Sequence, residues 1–224
     1  MVALDLPPLL KGHRVEAGRD VLGRAASRAA DGRLGAGDLI WADDSTAIDA
    51  ALVLEPEVGR GACAQMVPLA AVAFGDALGA IGPPEVAVTY GWPNVLLVNG
   101  AEGGRLSLRM AQGDPDWLVL GLRVAVRPPV HPDAAEPGLD TSRTTLWDEG
   151  CGEIKSAALL SAFARHLVAG LHGWEQDGFG PVHRAWTARH EGRDGFVGLD
   201  ENGNMLVREG DETKARDLLS EMGA

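Results

Sequence analysis

The side chains of this chain that could do chemistry concentrate between positions 92 and 105. Trp92 and Asn94 flank a proline, and both could contact a small-molecule ligand. Alternatively, Trp92 packs into the core at a sheet corner while Asn94 caps backbone groups. Glu102 could act as a catalytic base or could be a solvated turn residue. Arg105 is expected to point away from Glu102, because side chains three positions apart on a strand face opposite sides.

No metal site is predicted, because the histidines lack the spacing typical of metal ligands. They are His166, His172, His183 and His190 in the C-terminal half, together with His131. His131 lies in a proline-rich crossing over residues 127–142 and is expected to be solvated.

The bulk composition limits the classes of partner. The chain has 224 residues and a formal net charge of −12, which argues against nucleic acid or an anionic membrane as a general partner. No apolar run reaches the roughly 18 residues of a membrane span, and the N-terminus lacks the layout of a secretion signal. Two cysteines make a disulfide framework unexpected. These features predict a cytoplasmic protein.

The elements around the candidate residues predict an α+β domain, in which helices flank a mostly antiparallel sheet. Residues 86–90 and 96–98 are apolar strands, and Asn99-Gly100 is a strong hairpin signal before a third strand at residues 105–109. Residues 117–126 predict a buried fourth strand in the same sheet. The expected packing helices are residues 65–81 and 155–172.

The remaining segments predict smaller elements. Residues 1–14 are expected to be an extended lead-in, and residues 59–61 a loop. A hairpin around Asn202-Gly203 and a closing helix are expected to form a small C-terminal appendage. The further predicted ranges are a helix at 20–30, strands at 38–42 and 50–54, a helix at 180–190, a hairpin at 196–207 and the closing helix at 211–222.

The central hairpin resembles the core of the biotin/lipoate protein ligase family. That family has a Lys/Arg-Trp-Pro-Asn-Asp segment, a strand, an Asn-Gly turn and then Lys-x-x-Gly-Ile-Leu. This chain departs from the pattern at Gly91, Val95, Glu102 and Arg105, where the family has a basic residue, aspartate, the essential lysine and glycine. The matching residues are Trp92, Pro93, Asn94, Asn99, Gly100 and Gly104.

The resemblance implies a function and its partners. The family uses ATP to activate the carboxylate of biotin, lipoate or a similar acid, and passes the acyl group to a lysine of a carrier domain. If the activity is retained, ATP and biotin or lipoate are the implied cofactors, and Arg105 and Lys155 are the candidate catalytic residues. The implied ligand-binding residues are Trp92, Asn94, Asn99, Gly100 and Gly104.

The charges needed for this activation are not visible in the sequence. The family's basic loop should lie between the strands at 38–42 and 50–54, where this chain has Asp43-Asp44-Ser45-Thr46-Ala47-Ile48-Asp49. Gly59-Arg60-Gly61 is superficially similar to that loop, but it follows the second strand and carries a single arginine. Two unit charges about 4 Å apart interact by roughly 4 kcal/mol near a protein surface, so Glu102 in place of lysine is a severe loss. Two classes remain: an atypical or impaired ligase or acyltransferase, and a non-catalytic module that binds a small molecule or a carrier domain.

Cys151 and the C-terminal tail complete the comparison. Cys151, four residues before Lys155, could be a thioester nucleophile as in the octanoyltransferases of the same superfamily, or a structural cysteine. The tail resembles a shortened form of the small barrel domain that follows the ligase core. The expected division is a ligase-like domain over residues 1–190 and a reduced appendage over residues 191–224.

Overall fold

A computed structural model describes residues 4–113, 115–128, 141–192 and 195–224, and a seven-stranded sheet is its largest element. The strand order is β1-β2-β3-β7-β6-β5-β4, with β1 and β2 parallel and every other neighbouring pair antiparallel. The predicted α+β class and the predicted single sheet for residues 86–126 are confirmed. The strands are β1 Lys11–Glu16, β2 Asp38–Asp43, β3 Ala47–Leu54, β4 Val88–Gly91, β5 Val95–Val98, β6 Ala101–Met110 and β7 Leu118–Ala125.

Helices cover both faces of this sheet. The alternation of β3 shows why: Ile48, Ala50 and Leu52 join the main core with α3 and α4, whereas Ala51 and Val53 join a second cluster under α1. Asp20 caps α1 by accepting a hydrogen bond from the Gly23 amide. The helices are α1 Val21–Ala30, α2 Arg60–Cys63, α3 Met66–Ile81, α4 Ser156–Asp177, α5 Gly180–Thr187 and α6 Leu218–Met222, and a π-helical turn spans Trp147–Cys151.

The helical stretch at residues 60–81 is long and apolar enough to meet the criteria for a membrane span. However, 72% of its most apolar window is buried inside the domain. Phe74 and Ala77 have no exposed surface, and the chain places this stretch against α4 and the sheet. It is therefore the central core helix of the fold.

The central hairpin forms as predicted, with one irregularity. Asn99 and Gly100 both have positive φ angles, 50° and 88°, as a tight two-residue turn requires. Leu96 pairs with Gly104 and Leu97 pairs with Glu102, so Gly103 is an extra residue in β6. This β-bulge changes the alternation of side chains along the strand.

The C-terminal segment forms a separate three-stranded sheet that packs on the main core. Its strands are β8 Phe196–Leu199, β9 Met205–Glu209 and β10 Glu212–Arg216, in the order β10-β9-β8. Leu199, Met205 and Leu218 belong to the same buried cluster as the helices α3 and α4. The predicted hairpin is confirmed.

Two local predictions were wrong and one was incomplete. The lead-in is extended from residue 11, as predicted, but there it forms the strand β1, which pairs in parallel with β2 at the sheet edge. The predicted loop at residues 59–61 includes the first turn of α2. The first half of the predicted closing helix at 211–222 is the strand β10, and helix begins only at Leu218 because Asp217 caps it there. His131 and most of the proline-rich crossing lie outside the described residues.

Candidate functional site

The candidate site lies on the α1 face of the sheet, beside the N-terminus of that helix. Three charged side chains form a row across adjacent strands: Asp49 of β3 is in register with Arg123 of β7, which is in register with Arg105 of β6. Asp49 is half-buried, whereas both arginines are exposed. Helix α1 covers the sheet further along, where Leu22 approaches Gly121. The charged side chains of the row lie beyond this covered part of the sheet.

Carboxylates dominate one end of this row. Burial raises the pKa of Asp49, and the nearby charges of Asp20 and Asp44 add to that rise, while Arg123 opposes it. Arg123 also contributes to lowering the pKa of Asp44, so it is a counter-charge for both acids. The charged groups that act on Asp49 are thus the carboxylates of Asp20 and Asp44 and the guanidinium of Arg123.

The connection between β2 and β3 is a tight acidic turn of three residues, Asp44-Ser45-Thr46. Asp44 Oδ1 accepts hydrogen bonds from the Thr46 amide and the Thr46 hydroxyl, both at 2.7 Å. The hydroxyl bond is the main reason why the pKa of Asp44 is lowered. A small cavity at the same end of the sheet, on its α4 side, is lined by Asp43, Asp44 and Asp49 together with Ser156 of α4. This turn occupies the position at which the sequence comparison expected a basic loop.

Glu102 and Arg105 form a bidentate ion pair at the other end of the site. Arg105 Nε and Nη2 donate to the two carboxylate oxygens of Glu102, each at 2.6 Å. The prediction that these side chains face opposite sides was wrong, because the bulge at Gly103 restores both to one face. The hydrogen bonds from Arg105 lower the pKa of Glu102. Arg105 is therefore engaged by an acid within its own strand.

Trp92 and Asn94 lie at the start of the hairpin and make structural contacts. Trp92 is 7% exposed, packs edge-to-face on Trp186 and donates from Nε1 to Glu221 Oε2 at 2.9 Å. Asn94 donates from its amide group to the Leu106 carbonyl at 2.6 Å. Within the described residues, none of the hydrogen bonds formed by these two side chains involves a basic group.

The other hairpin residues also have local roles. Asn99 accepts from the Ala87 amide and donates to Glu149, which ties the turn to its neighbours. Gly100 occupies the second left-handed position of the turn. A Cβ atom on Gly104 would lie 2.7 Å from the Arg123 carbonyl oxygen, so the close approach of β6 and β7 requires glycine there.

Among the described residues, no hydrogen bond or ion pair joins the remaining candidates to this row. Lys155 is exposed at the N-cap of α4, and Arg60 donates to the Ala111 carbonyl. Cys151 is 2% exposed, and burial, with Glu149 and Glu85, raises the pKa of its thiol. A buried thiol with a raised pKa is a poor nucleophile. No group of three or more potential metal ligands occurs among the residues with described positions.

Sequence reasoning missed Asp49 and Arg123. Each is a single charged residue inside an apolar strand, Ala-Ile-Asp-Ala-Ala-Leu-Val-Leu and Leu-Val-Leu-Gly-Leu-Arg-Val-Ala. Those interruptions were a signal that both strands have one incompletely covered face. Their pairing with Arg105 depends on strand register, which the sequence does not state.

Comparison with known proteins gives the same family from sequence and from structure. The biotin/lipoate A/B protein ligase family model matches residues 6–188. A biotin–[acetyl-CoA-carboxylase] ligase from Paracoccus denitrificans is 28% identical over 177 residues, covering 70% of this chain and 72% of that protein.

Solved structures share the fold along nearly the whole chain. A biotin protein ligase-like protein of unknown function from Silicibacter sp. tm1040 has a TM-score of 0.85 and 32% identity, covering 97% of this chain and 98% of that one. Biotin protein ligase from Aquifex aeolicus in complex with biotin and ATP has a TM-score of 0.71 at 15% identity, covering 93% and 94%. The second likeness concerns the fold alone. With the match over residues 6–188, these findings establish that the chain belongs to the biotin/lipoate A/B protein ligase family.

Proposed function

We propose that this family member is impaired in ATP-dependent acyl transfer to a carrier lysine. The observation that carries the proposal is the acidic three-residue turn Asp44-Ser45-Thr46 beside Asp49. Joining a carboxylate to a phosphate brings two anions together, so an adenylating site needs fixed positive charge. Here the corresponding region supplies carboxylates.

The state of Arg105 supports the same proposal. Its guanidinium donates two hydrogen bonds to Glu102, so recruiting it to an anionic substrate would leave that carboxylate without its partner. Arg123 is exposed and lies between Arg105 and Asp49 in the row. The charge of Arg123 already acts on Asp44 and Asp49, so the row offers little free positive charge to two approaching anions.

The test is ATP–pyrophosphate exchange by the purified protein with biotin, lipoate or octanoate. We expect no exchange above the level seen without the acid. Robust exchange with any of the three would contradict the proposal and show that other basic residues supply the charge. Arg105→Gln and Lys155→Gln would then show whether these candidate catalytic residues are responsible.

A second function, binding without catalysis, is favoured by the contacts that keep the hairpin intact. The motif residues Trp92, Asn94, Asn99, Gly100 and Gly104 are the proposed ligand-binding set, and they are held by packing and hydrogen bonds. In this proposal the protein acts in the cytoplasm as a module for a small molecule or a carrier domain. The molecule would be an apolar or fused-ring compound whose polar end meets acids.

Calorimetry with biotin, lipoate and their amides tests the binding function. The amides lack the negative charge, so they should bind at least as well as the acids. Glu102→Gln should improve binding of the acids relative to the amides, whereas Glu175→Gln on the exposed side of α4 should change neither. Tighter binding of the acids by the unchanged protein would contradict an acidic site, and absence of binding by all four compounds would exclude this function.

A further inference from the structure

A basic groove lies between α1 and the edge strand β1, next to the candidate site, and Asp43 lines both. The whole chain has 32 acidic and 20 basic residues, yet this groove collects four arginines against two carboxylates. Its charged lining residues are Arg14, Arg19, Arg24, Arg28, Glu16 and Asp43.

Arg24 and Arg28, which lie on α1, differ from Arg14 and Arg19 in their ion pairs. Arg14 pairs with Asp43, and Arg19 pairs with Glu16 at 3.1 Å. Arg24 and Arg28 form no ion pair among the residues that the structure describes. They stand one turn apart on α1, where like charges repel, and no acidic residue occupies the first turn of that helix. The fold therefore carries two guanidiniums one turn apart on α1, neither of which has a described ion-pair partner.

The groove is open, because β1 is the edge strand of the sheet and no described strand lies beyond it. Val15 forms part of its floor, and His13, which pairs with Asp38, lies beside it. An open groove with charges along one wall accommodates an elongated partner better than a small enclosed ion. Guanidinium groups bind carboxylates through two parallel hydrogen bonds, which fixes their orientation.

Spacing identifies the partner more closely. Residues one helical turn apart, such as Arg24 and Arg28, are separated by about 6 Å along the helix axis. Alternate residues of an extended peptide are separated by about 6.6 Å and point to the same side. We propose that this groove binds an extended acidic segment of a partner protein, with carboxylates at alternate positions facing Arg24 and Arg28.

Fluorescence anisotropy with a labelled ten-residue peptide of alternating glutamate and threonine tests the proposal. We expect salt-dependent binding that weakens at least tenfold in Arg24→Gln/Arg28→Gln and is largely kept in Arg24→Lys/Arg28→Lys. The matched control Arg184→Gln/Arg208→Gln removes the same charge from exposed positions elsewhere and should change the Kd by less than twofold. A peptide with glutamine in place of glutamate should not bind.

Three outcomes would overturn the proposal. They are no binding to the unchanged protein at 50 mM salt, equal weakening in both glutamine double variants, and no weakening in either. Pyrophosphate displacing the peptide at a concentration below the Kd of the peptide would instead assign the groove to a small phosphate anion. Circular dichroism of each variant shows whether α1 is still folded when binding is lost. We expect it to be folded, since Arg24 and Arg28 form no described ion pair.

Discussion

At the scale of single residues, the family motif is retained where it builds the hairpin and altered where it would carry charge. Asn99 and Gly100 adopt the dihedral angles that the turn requires, and Gly104 allows two strands to approach. Glu102, in contrast, turns toward Arg105 and neutralises it. In this chain the motif residues that shape the hairpin are therefore kept, whereas the residue that would carry positive charge is replaced.

The Glu102–Arg105 pair gives a prediction about stability and pH. The side chains are 21% and 49% exposed, so Glu102→Gln should lower the free energy of unfolding at pH 7 by less than about 1 kcal/mol. The pKa of Glu102 is lowered below its ordinary 4.5 in the folded protein. Its stabilisation is therefore present above pH 4.5 and is lost as the pH falls through the lower folded-state pKa.

Urea denaturation of the unchanged protein and Glu102→Gln, from pH 7 towards pH 3, measures this difference. Arg105→Gln and the double variant complete the cycle, and the two single effects should not add. A difference that grows as the pH is lowered would contradict the assigned ion pair.

Cys151 gives a second prediction at this scale. Because the thiol is buried and its pKa is raised, iodoacetamide should label it slowly at pH 7 in the native protein and rapidly in urea. Cys63, also buried, should behave in the same way and serves as the internal comparison. Rapid labelling of Cys151 in the native protein, located by mass spectrometry, would instead support the hypothesis that Cys151 is a thioester nucleophile.

At the scale of elements, the sequence predicted the helices and strands whose buried apolar residues recur with a regular spacing. The strands and helices of the main core were found because Val, Leu and Ala repeat there. β1 and β10 were missed because Lys11–Glu16 and Glu212–Arg216 are mostly polar and exposed, so neither has an apolar face to recognise. The bulge at Gly103 could not be predicted, because a register shift is a property of two paired strands.

The close approach of β6 and β7 gives a prediction at this scale. Gly104→Ala would place Cβ 2.7 Å from a backbone oxygen of β7, so the strands must shift. We expect a loss of about 1–3 kcal/mol in the free energy of unfolding, as for other overpacked sites. Gly79→Ala in α3 is the control, since its Cβ would meet no atom within 4 Å, and it should be neutral or slightly stabilising. Equal denaturation midpoints for the two variants would contradict the assigned contact.

At the scale of the whole molecule, the C-terminal sheet is joined to the rest by packing and by hydrogen bonds. Gln65 donates to the Glu201 carbonyl, and Trp92 donates to Glu221. Arg216 holds Glu221 with two further hydrogen bonds. We propose that residues 191–224 are a reduced appendage to a ligase-like domain of residues 1–190, one that cannot fold alone and covers part of its core.

Deleting residues 191–224 should therefore destabilise the whole molecule. Leu199, Met205 and Leu218 are each less than 7% exposed, and burying three such side chains is worth about 5–9 kcal/mol. That is comparable to the roughly 5–15 kcal/mol that stabilises a typical domain, so residues 1–190 alone should be unfolded or aggregated at 25 °C. In the full chain, Met205→Ala should cost about 2–5 kcal/mol in urea denaturation, whereas Thr213→Ala on the exposed strand β10 should cost less than about 0.5 kcal/mol. A truncated chain that unfolds cooperatively at the same urea midpoint as the full chain would show that the appendage contributes nothing to the core.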